Sequence, residues 1–163
     1  MSKLEEIINE YAKTHKLVVW ASFREELEII GNLLNTMNIR YSRLDGSVPA
    51  SARQQMVNSF MTDPDHRVFL SNQRAGGIGI DLYAADYCVY YSNDYSPEIR
   101  LQAEDRLHRI GQKNHVTYID LISKGSIDST IVRMLSKKQD ISNQVMSGKI
   151  NVKEVVYGDD EDQ

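Results

Sequence analysis

The segment with the most chemistry in it is QAEDRLHRIGQ, residues 102–112. Arg106 and Arg109 are three residues apart, so on one helix their side chains leave the same face. Gln102 and His108 flank that face, and Gly111 is suited to end the helix. Two guanidiniums at fixed spacing match a triphosphate, whose charge spreads over several oxygens during transfer. They would equally suit a solvated face on which they pair with Glu104 and Asp105. A second segment, SNQRAGGIGIDL at residues 71–82, carries Gly76, Gly77 and Gly79 behind three polar side chains, Asn72, Gln73 and Arg74. Glycines let a backbone come close to another group, and exposed amides there can hold a phosphate; a tight strand-to-helix turn would use the same residues.

Three shorter strings sit at the ends of apolar runs. Arg43, Asp45 and Gly46 lie in YSRLDGS, residues 41–47. Ser22 and Phe23 end VVWASF, with Ser22 expected to cap the next helix and Phe23 to pack inward. Tyr95 lies in SNDYSP, residues 92–97, at a point where an aromatic ring can touch a sugar or base. Other chemistries are excluded by absence. There is no GxxxxGK[ST] phosphate loop, no DExH or DEAD string, no GxGxxG followed by an acid, and no GxSxG. The histidines at 15, 66, 108 and 115 show no metal-ligand spacing, and Cys88 is alone, so the chain offers neither a disulfide nor a thiolate site.

The elements needed to hold these strings can be read from periodicity. Leu4, Ile7, Ile8 and Tyr11 mark one face of a helix over 2–14. KLVVWAS is a buried strand, and REELEIIGNLLNTMN is a helix with Leu27, Ile30, Leu33, Leu34 and Met37 on one side. YSRLDG is a short strand; ASARQQMVNSFMTD is a helix stopped by Asp63-Pro64; HRVFLSNQ and DYCVYYSND are strands. PEIRLQAEDRLHRI is a helix with Pro97 in its first turn, HVTYIDLIS a strand, and SIDSTIVRMLSKKQDISNQVMS a long closing helix. Strands and helices alternating in this way call for a mostly parallel sheet, helices on both faces, in three layers. Ligands gather at the carboxyl ends of such strands, and the polar strings fall there, so function is expected along one edge.

With 163 residues the chain fits one domain over residues 1–148, followed by an acidic tail at 149–163 expected to be disordered. No apolar run approaches the roughly 18–20 residues a membrane helix needs, so no membrane partner is expected. The acid-bearing N-terminus does not read as a signal peptide, which leaves an intracellular location, cytoplasmic for a prokaryotic or viral source and nuclear for a eukaryotic one. The net charge of -4 speaks against a nucleic-acid partner; part of it belongs to the terminal GDDEDQ.

RLDGS, RAGGIGIDLYAAD and QAEDRLHRIGQ, in that order and at this spacing, resemble the C-terminal helicase lobe of the Swi/Snf family within helicase superfamily two, from about Lys3 to Gly148. The resemblance implies a RecA-like domain, related to P-loop NTPases but without its own phosphate loop. It implies that Arg106 and Arg109 are arginine fingers reaching ATP held with Mg2+ on a separate N-terminal RecA-like lobe, and that Gln102, Gly79 and Asp81 approach the nucleotide. Arg43, Gly46, Asn72, Gln73, Arg74 and Tyr95 would contact duplex DNA, and the closing helix would brace the first lobe. The lobe alone would be inactive, and the pair of lobes would translocate along or remodel duplex DNA. The string SNQRAGG stands where the family often has STRAGG, Asp81 where Asn is common, and Tyr95 where Trp is frequent. Two other readings stay open: a degenerate lobe kept for protein binding, and an RNA-directed lobe of the same superfamily.

Overall fold

The computed structural model describes residues 2–75, 79–108, 115–123, 132–133 and 155–158. Its elements are α1 (Lys3–Tyr11), β1 (Leu17–Ala21), α2 (Arg24–Thr36), β2 (Arg40–Leu44), α3 (Ala50–Thr62), β3 (His66–Asn72), β4 (Tyr87–Tyr90), α4 (Pro97–Asp105), β5 (Thr117–Ser123) and β6 (Val155–Gly158). The strands form one sheet in the order β2-β3-β1-β4-β5-β6, and every neighbouring pair is parallel.

Side chains alternate across β1 with a period of two, and this divides the core. Leu17, Val19 and Ala21 face α1 and α2, where Leu4, Ile7, Ile8, Leu27, Ile30 and Leu34 are buried. Val18 and Trp20 face the opposite layer with Val57 and Phe60 of α3 and Ala103 of α4. The three-layer α/β expectation therefore holds. Burying a large apolar side chain contributes about 1.5–3 kcal/mol, and β1, with all five residues buried, is the strand on which both layers rest.

Local rules explain most boundaries. The Ser2 hydroxyl accepts from the Glu5 amide and starts α1. Ser22 does not cap α2: Phe23 is the N-cap residue, and the Glu26 carboxylate turns back to accept from the amides of Ser22 and Phe23. Phe23 is 54% exposed, not packed inward, because the chain leaves the sheet one residue before it.

Two further expectations change. The helix predicted to run to Ile110 ends at Asp105, with Arg106 as its C-cap. The Arg106 carbonyl, which a continuing helix would offer to the amide of residue 110, accepts instead from the Leu82 amide at 2.9 Å. The segment expected as a tail over 149–163 contributes β6, which pairs with β5 from Asp120↔Val155 to Ser123↔Gly158. The long closing helix lies outside the described residues except for Val132 and Arg133, which are helical.

Candidate nucleotide and nucleic-acid interface

At the carboxyl ends of β1, β2 and β3 the turns converge on an open cleft of about 450 Å³ whose lining includes Arg24, Asp45, Gly46, Ser47, Arg53, Asn72 and Arg74. Three arginines thus arrive from three elements: the first residue of α2, the first turns of α3, and the turn after β3. Arg53 donates from Nε to the Val48 carbonyl at 3.1 Å, which anchors its side chain at the start of α3. Pro49 is the N-cap of that helix and supplies no side-chain cap, so the amides of its first turn have no side-chain partner at this end, a favourable setting for an anion.

Acids organise this edge. Asp45 accepts from the Ser47 amide at 2.8 Å and from the Ser47 hydroxyl, and its other oxygen takes Nε of Arg43 at 2.9 Å. Arg43 also reaches Glu28 at 2.8 Å. Burial would raise the Asp45 carboxyl, but the Ser47 bonds and Arg43 hold it below the ordinary carboxylate value. Asp94, in the loop after β4, grips Arg74 through two bonds of 2.7 and 3.2 Å and accepts from the Ser96 amide at 3.0 Å. Its pKa is also lowered, burial being outweighed by Arg74 and Ser96. Arg74 nonetheless remains 69% exposed along its side chain.

Of the residues expected to touch nucleic acid, Gly46 is open, with nothing within 4 Å of an added Cβ, and Tyr95 is 64% exposed. Arg43 is at the edge but tied to two acids. Asn72 is bound internally: its amide donates to the Ser22 carbonyl and its oxygen takes the Arg74 amide. Gln73 is the most enclosed of the residues expected at this interface. It is 2% exposed, donating to the Ser92 carbonyl and accepting from the Asp94 amide, and so shapes the edge from beneath.

The residues expected near a nucleotide lie elsewhere. From its start beside Asp94, α4 runs back along the sheet for nine residues, about 14 Å at 1.5 Å per residue. It delivers Arg106, half-buried, against Leu82, which follows Gly79 and Asp81. Gly79 is exposed and has a φ of 57°, the left-handed region that favours glycine. Gln102 is exposed on the same helix. Arg106, Asp81 and Gln102 are therefore on α4 and the segment it touches, not with the strand-end turns, and the single functional edge expected from sequence becomes two regions. Arg109, Gly76 and Gly77 lie outside the described residues.

Between the two regions lies a cluster that the sequence did not reveal. Arg100 of α4 is 7% exposed. Its guanidinium sits 3.5 Å above the Tyr90 ring and binds both oxygens of Asp120 on β5. It also donates to Asn93 at 2.7 Å and to Glu104 at 2.8 Å. Asn93 in turn donates to Asp120 at 3.0 Å. Burial lifts the Glu104 carboxyl above the ordinary carboxylate range against the pull of Arg100.

The helicase conserved C-terminal domain matches residues 1–111. The chain belongs to that family. It is 38% identical over 149 residues to the chromatin-remodeling ATPase INO80 of Schizosaccharomyces pombe, covering 91% of this chain and 9% of that protein. The INO80 of Drosophila melanogaster is 39% identical over 137 residues, 84% of this chain and 8% of that one. The C-terminal part of the Fun30 ATPase domain superposes with a TM-score of 0.75 at 29% identity, covering 87% of this chain and 50% of that chain. The fold is RecA-like and the lobe is of Swi/Snf type. The chain spans about a tenth or less of the INO80 proteins it matches. Arg24, Arg53, Asp94 and Arg100 are the helicase-lobe residues that sequence reasoning missed. Positions 24, 53 and 74 share no spacing that would betray their meeting, and Arg100 and Asp120 are on different elements.

Proposed function

We propose that this lobe serves an ATP-dependent DNA translocase or remodeller by two separate contacts. The cleft lined by Arg24, Arg53 and Arg74 holds phosphates of duplex DNA, with Arg43, Gly46, Asn72 and Tyr95 at its margins. The far end of α4 offers Arg106, and beyond it Arg109, to the γ-phosphate of ATP held on an N-terminal RecA-like lobe, with Gln102, Gly79 and Asp81 beside the nucleotide. The convergence of three arginines and an uncapped helix start at one sheet edge carries the DNA half of the proposal: such a surface binds phosphates without reading bases. The magnesium ion is assigned to acids of the partner lobe, as the resemblance implies. When ATP is cleaved by water, charge accumulates on the phosphoryl oxygens, and a guanidinium there is worth roughly 10³–10⁵ in rate. Opening and closing of the lobes would then step them along the duplex inside the cell, in the nucleus of a eukaryotic source. No described helix is long and apolar enough to cross a membrane.

The test uses the complete protein that carries this lobe. Arg106→Ala and Arg109→Ala should each lower DNA-stimulated turnover by about 10³-fold or more while the Kd for duplex DNA stays within threefold. Wild-type turnover in both variants would refute the finger assignment, and stimulation by duplex RNA in place of DNA would redirect the substrate.

A further inference from the structure

We infer that Arg100 is a positioning residue that couples DNA contact at the Arg74 edge to the placement of Arg106. The inference rests on the proposed function and names the connection between its two halves.

The two regions are separated by the length of α4, and one continuous set of bonds spans the gap. Arg74 is gripped by Asp94. The next residue back, Asn93, is 4% exposed and bonds both Arg100 and Asp120. Arg100 holds the Glu104 carboxylate. The backbone carbonyl of Glu104 accepts from the amides of Leu107 and His108 at 2.9 and 3.2 Å, and so closes the turn that carries Arg106. A DNA phosphate that takes Arg74 from Asp94 would loosen the loop at Asn93 and Asp94, and Arg100 would transmit the change to that turn.

The chemistry of Arg100 fits this role better than a purely stabilising one. Its fork serves three side chains in different directions at once, which the single charge of a lysine cannot do. Buried ion pairs are weak stabilisers: apolar replacement of all partners is often neutral or favourable, whereas removal of one partner is costly. A core that needed only cohesion between α4, β4 and β5 would be served as well by leucine or methionine. Coupling between sites can be carried by hydrogen-bond networks and packed side chains, and the Arg100 fork, which meets Asn93 next to the Arg74–Asp94 pair, is such a network.

The experiment compares the complete two-lobed protein with Arg100→Lys and with the triple variant Arg100→Met, Asp120→Leu, Glu104→Gln, which leaves no buried charge behind. The decisive readout is the ratio of turnover with saturating duplex DNA to turnover without it, because that ratio does not depend on the fraction of folded protein. Both variants should lose about tenfold in the ratio, within the range usual for coupling between sites. The KM for ATP and the Kd for DNA should stay within threefold. Full DNA stimulation in the triple variant would overturn the inference while leaving the proposed function standing. A wild-type protein with no DNA stimulation at all would overturn both.

Discussion

Charge deletion in the cleft gives the sharpest test of where DNA lies. Arg24, Arg53 and Arg74 line it together, and each phosphate neutralised on B-DNA adds about 0.9 to the slope of log affinity against log salt. If all three engage phosphates, replacing them with glutamine should flatten the slope by about 2.7, which over a fourfold rise in salt corresponds to a difference of about 40-fold in retained affinity. Arg74 sets the lower bound. It already has a carboxylate partner in Asp94, and if phosphate does not displace that partner only two cations count, giving about 1.8 in slope and about 12-fold in affinity. The single variant Arg74→Gln separates the two cases. The assay is fluorescence anisotropy of a labelled duplex titrated with this chain at several salt concentrations, repeated with a scrambled sequence that should behave identically. Equal slopes for wild type and the triple variant would mean that DNA does not use this edge, and the reasoning from converging arginines would be wrong.

Two other outcomes follow from local geometry. A Cβ added at Gly31, in the middle of α2, meets the Tyr41 hydroxyl at 3.0 Å; Gly31→Ala should therefore realise its helix-propensity gain of about 1 kcal/mol only when combined with Tyr41→Phe, and urea denaturation of the single and double variants checks this, equal effects in both backgrounds counting against it. Asp45 and Asp94 have lowered pKa values in the folded lobe, so the stability they contribute is present above their unfolded value of about 3.9 and is lost as pH falls through the folded one; the gap in urea midpoint between wild type and Asp45→Asn or Asp94→Asn should close as pH is taken from neutrality to below about 4, and a constant gap would show that neither carboxylate is held as described.

Much of the order of elements was legible because helices whose apolar residues recur at helical spacing, as Leu27, Ile30 and Leu34 do in α2, alternate with short apolar runs such as β1. What stayed hidden was decided by groups distant in sequence. The end of α4 is set by the Leu82 amide taking the Arg106 carbonyl, a contact that no window around Arg106 contains. Gln73 looks like a surface donor, yet it is buried because Ser92 and Asp94 from the neighbouring loop close over it. β6 lay in a segment judged by its acids, although Val155, Val156 and Tyr157 are of the types that favour strands.

The acidity of the chain can now be weighed against its proposed partner. A net charge of -4 describes all 163 residues, but binding depends on the field at the contact, which falls off within roughly 10 Å at ordinary ionic strength. At the cleft edge the acids have specific tasks: Asp45 fixes the Ser47 turn and Arg43, and Asp94 holds Arg74 and the start of α4. They stand beside the arginines as internal competitors for phosphate. Under the proposed function the lobe would release DNA in every cycle and would have a use for such competitors, since cations left unopposed would hold the backbone too firmly to step along it. On this proposal Asp94 would rank with Arg74 as a determinant of grip, and the strength of the DNA contact would be set by how readily a phosphate replaces a carboxylate that is already in place.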